Sequence, residues 1–242
     1  MHTEPIVVEG RTYAVRIHLE SRRNCRVSVG KQGVSIRMPR WMPRADKEWH
    51  LVELRAWAVE RITREPERFA PRRGREYHDG HVLRAAGEEY VVRLNLEERR
   101  TSSGRIRGNE LHLHHPWRLP TDELRTRSAT VVSRLLADRH LPRVRDLVDR
   151  LNREHFQAKV NQVRLKHQRS RWGSCSSRGN INLSTRLLMA PPDVLEYVIV
   201  HELAHLKVRK HDRKFWQLVE RVVPDYKEKV AWLREHGREC DL

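Results

Sequence analysis

The chain opens with apolar residues at every second position. Tyr13, Val15 and Ile17 share one side of a first segment, Val27 and Val29 of a second, and Val34, Ile36 and Met38 of a third. A period of two places alternate side chains on one face of an extended chain, so these segments predict short, half-buried strands. Gly30 and Gly33 bracket a turn between the second and third, and Pro39 and Pro43 close the run. Across residues 45–69 the period lengthens, and Trp49, Val52, Leu54, Trp57, Val59 and Ile62 predict one amphipathic helix. Strand signals return at 82–83, 90–96 and 106–113, with a turn at Thr101-Ser102-Ser103-Gly104. Beyond Pro116 and Pro120, Leu124, Val131, Leu135, Val144 and Val148 recur at helical spacing, and Pro142 is expected to split that stretch into two helices. No repeat of fixed period and no low-complexity tract is evident.

Past residue 163 the pattern becomes more specific. Arg171 to Gly179 reads as a strand end and a glycine-bearing turn, and Asn180-Ile181-Asn182-Leu183-Ser184 alternates like an edge strand. Pro191 and Pro192 exclude an extended helix before them, so a helix is expected from about Asp193, with Asp193 as N-cap and Glu196 closing a capping box. Its residues Val194, Leu195, Tyr197, Val198, Ile199, Val200, Leu203, Ala204 and Leu206 are apolar on nearly every side, the mark of a helix inside a domain.

Set into that helix is His201-Glu202-Leu203-Ala204-His205. Residues four apart lie one turn above each other, so His201 and His205 can reach one metal ion while Glu202 projects beside them. Ionisable groups in an apolar helix cost several kcal/mol unless a metal or a partner compensates them. Catalytic zinc keeps three protein ligands and one open position. His211 is the first candidate for the third ligand, with Asp212 and Glu220 as alternatives. The metzincin pattern is not met, because Val208 stands where it needs glycine and no Met follows residue 189.

Composition changes this picture in two ways. Three cysteines, Cys25, Cys175 and Cys240, far apart and without a CxxC pair, support neither a disulfide framework nor a cysteine zinc knuckle, and the N-terminus shows no leader pattern. A cytoplasmic protein is expected, with no membrane span. The formal net charge of +17 attracts polyanions, which makes nucleic acid a candidate partner through the basic surface.

Arg171-Trp172-Gly173-Ser174-Cys175, Tyr197 to His205, His211-Asp212-Arg213-Lys214-Phe215-Trp216 and Pro224-Asp225-Tyr226 together resemble the YgjP-like metallopeptidase family, which is related to the WLM and SprT-like zinc peptidases. The match is dense from about residue 169 to 236 and looser in the front half. It implies an α+β fold: a strand-rich region over residues 1–116 with one helix, then a mainly helical zincin-like catalytic domain with a short β-sheet over 117–242. It also implies one zinc ion per chain on His201, His205 and His211, with Glu202 assisting the attack of zinc-bound water on a peptide bond. Ser184-Thr185 departs from the family pattern, in which asparagine is expected after the leucine. Asn180, Asn182 and Tyr226 are candidate substrate contacts, the first two through strand addition, and Tyr226, Arg171 or His236 could stabilise an oxyanion. The competing expectations are a nucleic-acid-binding or adaptor protein whose zinc only orders the fold, and a zinc hydrolase acting on something other than peptides.

Overall fold

The computed structural model of the chain describes residues 5–30, 33–69, 75–168 and 170–242, with only the backbone at 67 and 68. Residues 31 and 32, in the turn expected between Gly30 and Gly33, lie outside the described residues, as does the start of the dense motif region at 169. The architecture is α+β, in two compact units.

In the unit Met1–Arg73, a hairpin of β1 (Ile6–Val8) and β2 (Arg11–Tyr13) precedes β3 (Val15–Glu20), β4 (Arg26–Gly30) and β5 (Gly33–Pro39), followed by α1 (Arg44–Arg64) and the one-turn α2 (Pro66–Phe69). The sheet order is β3-β5-β4, with β3 parallel and β4 antiparallel to β5. Ile6, Tyr13, Val15, Val34, Ile36 and Met38 close its core against Ala58 and Ile62 of α1. The helix expected over 45–69 is interrupted at Glu65, because Pro66 lacks the amide that would continue it.

The unit Gly74–Leu242 begins with β6 (Val82–Ala85), β7 (Glu88–Glu97), β8 (Ser103–Arg107) and β9 (Glu110–Pro116), in sheet order β6-β7-β9-β8, and α3 (Thr121–Leu151). A π-helical turn at Asn152–Phe156 leads to β10 (Gln162–Lys166), β11 (Gly173–Cys175) and β12 (Asn180–Ser184), in sheet order β10-β12-β11. A 3-10 turn at Thr185–Met189 and helices α4 (Pro192–Ala204), α5 (Arg213–Val222) and α6 (Tyr226–Glu235) complete it. Leu83, Tyr90, Val92, Leu111 and Leu113 of the first sheet share one core with Leu136 of α3, Ile199 of α4 and Phe215 of α5. The boundary expected between residues 116 and 117 therefore falls inside this unit. Pro142 does not split α3. The proline and Asp138, whose carbonyl loses its helical partner, are both exposed, so water can solvate that carbonyl.

The two units contain the same element twice. From Gly10 to Arg23 and from Gly87 to Arg100, eight of fourteen positions are identical at a constant offset of 77: Gly, Tyr, Val, Arg, Leu, Glu, Arg and Arg. The same offset carries β4 onto β8, β5 onto β9, and the start of α1 onto the start of α3, each helix preceded by a proline at the N-cap. It also carries the hairpin turn Glu9-Gly10 (φ 49° and 73°) onto Ala86-Gly87 (φ 52° and 79°). Both central residues of these two-residue turns lie at positive φ, the type I′ pattern, in which glycine removes the steric penalty at the second position. The expectation of no internal repeat is thus corrected. Two copies diverged this far show no sustained period, and identity concentrates in a single fourteen-residue stretch. β10, β11 and β12 repeat the strand order a third time, with β10 parallel and β11 antiparallel to β12.

That order makes β12 the central strand of its sheet, correcting the edge strand expected at Asn180–Ser184; the edge beside it is β11. Among the described residues no helix is long and apolar enough to cross a membrane.

Candidate active site

α4 starts at Pro192 with Pro191 as N-cap and no side-chain cap, which corrects the expected capping box. Asp193 instead binds the amide of Val194 and pairs with Lys229, while Glu196 faces Arg150. The helix buries Val194, Val198, Ile199, Val200 and Leu203, and this burial fixes which way its polar residues can face. It ends at Ala204. Amides of Leu206, Lys207 and Val208 bond back to Leu203 and Ala204, the chain reverses, and Asp212 caps α5 by accepting from the amide of Phe215. Asp212 is thereby committed to the backbone.

This reversal brings His211 back to the helix. Ligand atoms of His201, His205 and His211 all lie within 4.8 Å of one another, the sole group of this kind among the described residues, and Glu220 is not part of it. Nε2 of His211 is 3.0 Å from Nε2 of His201. Phe215, fully buried, lies under all three rings with centroid distances of 4.9, 4.6 and 4.7 Å. Trp216 stacks on His211 at 5.8 Å and on Tyr226 at 5.1 Å, so the indole stands between Tyr226 and His211.

The donor set fits a metal ion. Burial pushes His201 down to about 3, with His205 and His211 adding to the shift, and burial likewise lowers His205. Neutral imidazoles are the form that ligates. His205 donates from Nδ1 to the carbonyl of Val208 at 3.2 Å, which leaves Nε2 for the cluster, the usual outer hydrogen bond of a metal-bound histidine.

Glu202 is 5 % exposed, and its Oε2 has no partner among the described residues. Burial pushes its carboxyl up to about 7, against the opposing charge of Arg171. Its place is made by Gly173 of β11, where an added Cβ would stand 2.5 Å from Oε1 and 2.8 Å from Cγ. Only glycine lets the sheet edge approach the carboxylate this closely. Cys175, on the same face of β11, is pushed up to about 11 by burial and by Glu202, so its thiol is inert.

Asn180 and Asn182 are not brought to this site. In the β10-β12-β11 register, Gly173 and Cys175 align with Leu183 and Ile181, on the face turned to α4, whereas Asn182 aligns with Ser174 on the opposite face. The amide of Asn182 bonds Ser174 Oγ at 3.4 Å, and Asn180 accepts from Asn161. His236 binds Glu239. Tyr197, to which the sequence pattern assigns no chemical role, stands one turn before His201, with ring centroids 6.0 Å apart, and burial, Tyr226 and Glu202 push its hydroxyl up to about 12. The (i, i+4) spacing to His201 was the available signal.

Three converging imidazoles, with the buried carboxylate of α4 beside them, form a candidate site for a metal-dependent hydrolase. The model of the YgjP-like metallopeptidase domain matches residues 23–236, and the chain belongs to that family. Among curated relatives, the UTP pyrophosphatase of Escherichia coli (strain K12) is 37% identical over 54 residues, an alignment that covers 22% of this chain and 32% of that protein. Two solved metallopeptidase zymogens are similar over a smaller part of the chain. Pyrococcus abyssi abylysin matches at 28% identity over 38% of this chain and 93% of its own, with a TM-score of 0.35. Methanocaldococcus jannaschii jannalysin matches at 19% identity over 36% and 93%, with a TM-score of 0.32.

Proposed function

We propose that the chain is a zinc peptidase in which His201, His205 and His211 hold the ion and Glu202 is the general base. The observation that carries this reading is Glu202 itself. A purely structural zinc site has no use for a buried, unpartnered carboxylate beside its ligands, and burying one costs stability. A zinc ion on these imidazoles supplies Lewis acidity and lowers the pKa of water at the open position. Glu202 takes the proton of the attacking water and delivers it to the leaving amine, a transfer that its raised pKa suits near neutral pH. Tyr197, protonated at that pH, donates to the developing oxyanion. An extended polypeptide adds as a further strand on β11, the sheet edge next to Glu202, in place of the buried Asn180–Ser184 strand.

A second reading is a hydrolase of nucleotide phosphoanhydrides. It is favoured by the 37% identity to the E. coli UTP pyrophosphatase over 54 residues and by the net charge of +17. The same base and the same ion would serve it, because activated water attacks many electrophiles. Purified protein of measured zinc content is therefore assayed on an unfolded polypeptide and on UTP, alongside Glu202→Gln. The amide keeps the metal and is expected to lower turnover by about 10²–10⁴. Cleavage of UTP but not of polypeptide would replace the first reading with the second. Full activity of the Glu202→Gln variant on both would remove Glu202 from the chemistry.

A further inference from the structure

From His155 to Pro192 the sequence contains no Asp or Glu, although the chain has 32 of them. This stretch builds the β10-β12-β11 sheet. One face of that sheet is spent on the core and on Glu202, through Val163, Leu165, Ile181, Leu183 and Gly173. The other face aligns Arg164 with Asn182 and Ser174, and Lys166 with Ser184. Arg164 and Lys166 are exposed, as are Lys159 and Arg178 in the flanking turns. None of these four cations has an ion pair among the described residues.

The neighbouring sheet of the same unit behaves differently. There Arg84 pairs with Glu89, Arg93 with Glu110, and His114 with Glu97, so carboxylates stand among the cations, and of this sheet's arginines Arg105 and Arg107 have no ion pair among the described residues. A face that gathers cations with amide and hydroxyl donors and excludes carboxylates repels nothing anionic. Its charge remains available to a partner.

We infer that the outward face of the β10-β12-β11 sheet binds the phosphodiester backbone of nucleic acid through Arg164, Lys166 and Arg178, with Lys159, Asn180 and Asn182 beside them. The binding face is the reverse of the one that supports Glu202, so bound nucleic acid leaves the hydrolytic site open. No aromatic ring stands on the three strands of this face to stack bases, so recognition is of the backbone and is indifferent to base sequence. The inference does not depend on whether the site cleaves peptides or phosphoanhydrides.

The test measures fluorescence anisotropy of a labelled single-stranded DNA 20-mer with the full chain between about 50 and 200 mM salt, where counterion release makes binding steeply salt-dependent. Arg164→Glu/Lys166→Glu/Arg178→Glu is expected to weaken binding about tenfold or more and to flatten the log–log salt slope by about 2, for three lost phosphate contacts. The neutral version with Gln at all three positions, checked for unchanged zinc content and hydrolysis, is expected to show the same slope change. Arg84→Glu/Arg105→Glu/Arg107→Glu makes the same change in net charge on the other sheet and is expected to leave the slope near wild type. An equal loss in that control, no DNA binding by wild type at about 50 mM salt, or displacement by UTP at equal phosphate concentration would each overturn the inference.

Discussion

The two copies of the repeated element share their order of strands and helix and end in different surroundings. In the first, the outer side of α1 carries Trp49, Val52, Ala56 and Val59 in the open, with Trp49 61% and Val52 69% exposed. In the second, Ala129, Ser133 and Leu136, the counterparts of Val52, Ala56 and Val59, are buried. Ser133 bonds Thr185 of the 3-10 turn at 2.6 Å, and Leu136 belongs to the core shared with α4. A helix with one apolar side suffices to close a sheet, and a second apolar side turns it into a wall between layers. α3 is that wall, and so the copy that carries it is built into the unit Gly74–Leu242.

The sharpest way to break this comparison is a pair of matched truncations. Leu136→Ala is expected to cost about 2–5 kcal/mol, by lost burial and a cavity, whereas Val59→Ala is expected to stay within about 0.5 kcal/mol. Denaturant unfolding measures both, and equal costs would show that the outer face of α1 is covered in solution.

Acid provides the next contrast. Where the first copy packs Met38 with Leu51 and Cys25, the second has His115, Ser128 and Ser102, with His115 bonded to both hydroxyls at 3.0 and 2.7 Å. Burial, with help from Arg127 and Arg99, pushes His115 from 6.5 down to about 4. Between those values the unfolded chain binds the proton and the folded chain does not. The stability that His115 confers by staying neutral is therefore complete above about 6.5 and is lost progressively as pH falls toward 4, up to about 3 kcal/mol. His115→Met is expected to remove this part of the acid sensitivity of the second unit. An unchanged stability profile between pH 6.5 and 4 would refute it.

The smallest expected difference lies in the paired tyrosines. Tyr90 donates to Glu88 at 2.7 Å and meets His140 at 2.9 Å, whereas the hydroxyl of Tyr13 is buried without a partner among the described residues. Tyr90→Phe is expected to cost about 1 kcal/mol, and Tyr13→Phe to be neutral or slightly stabilising. Thermal unfolding of the two variants resolves this, and a larger loss at Tyr13 would reverse the assignment.

Much of this was legible in the chain. Period-two runs located most of the strands, and the apolar stretch around His201 and Glu202 identified a buried helix whose (i, i+4) imidazoles face the same way. Local periodicity fixes such features because it reports on a single element. The exposure of Trp49 and Trp57 was not legible, since α1 reads as amphipathic whichever apolar residues meet the sheet. The unbroken path through Pro142 was hidden for a related reason, because solvation of one carbonyl depends on which side of α3 faces water.

Sequence alone determined the candidate ligand types and their spacing on α4, the hydrophobic alternation of the strands, the separation of the cysteines and the acid-free stretch between His155 and Pro192. These are properties of neighbours along the chain, set by side-chain chemistry and by helical or extended geometry. The tertiary structure decided which strand lies at the edge of the β10-β12-β11 sheet, that Asn180 and Asn182 face away from Glu202, that Gly173 makes room for the carboxylate, and that Phe215 supports all three imidazoles. Each of these depends on strand order or on contacts between distant segments, and a strand inserted between two others changes every neighbour without changing its own pattern.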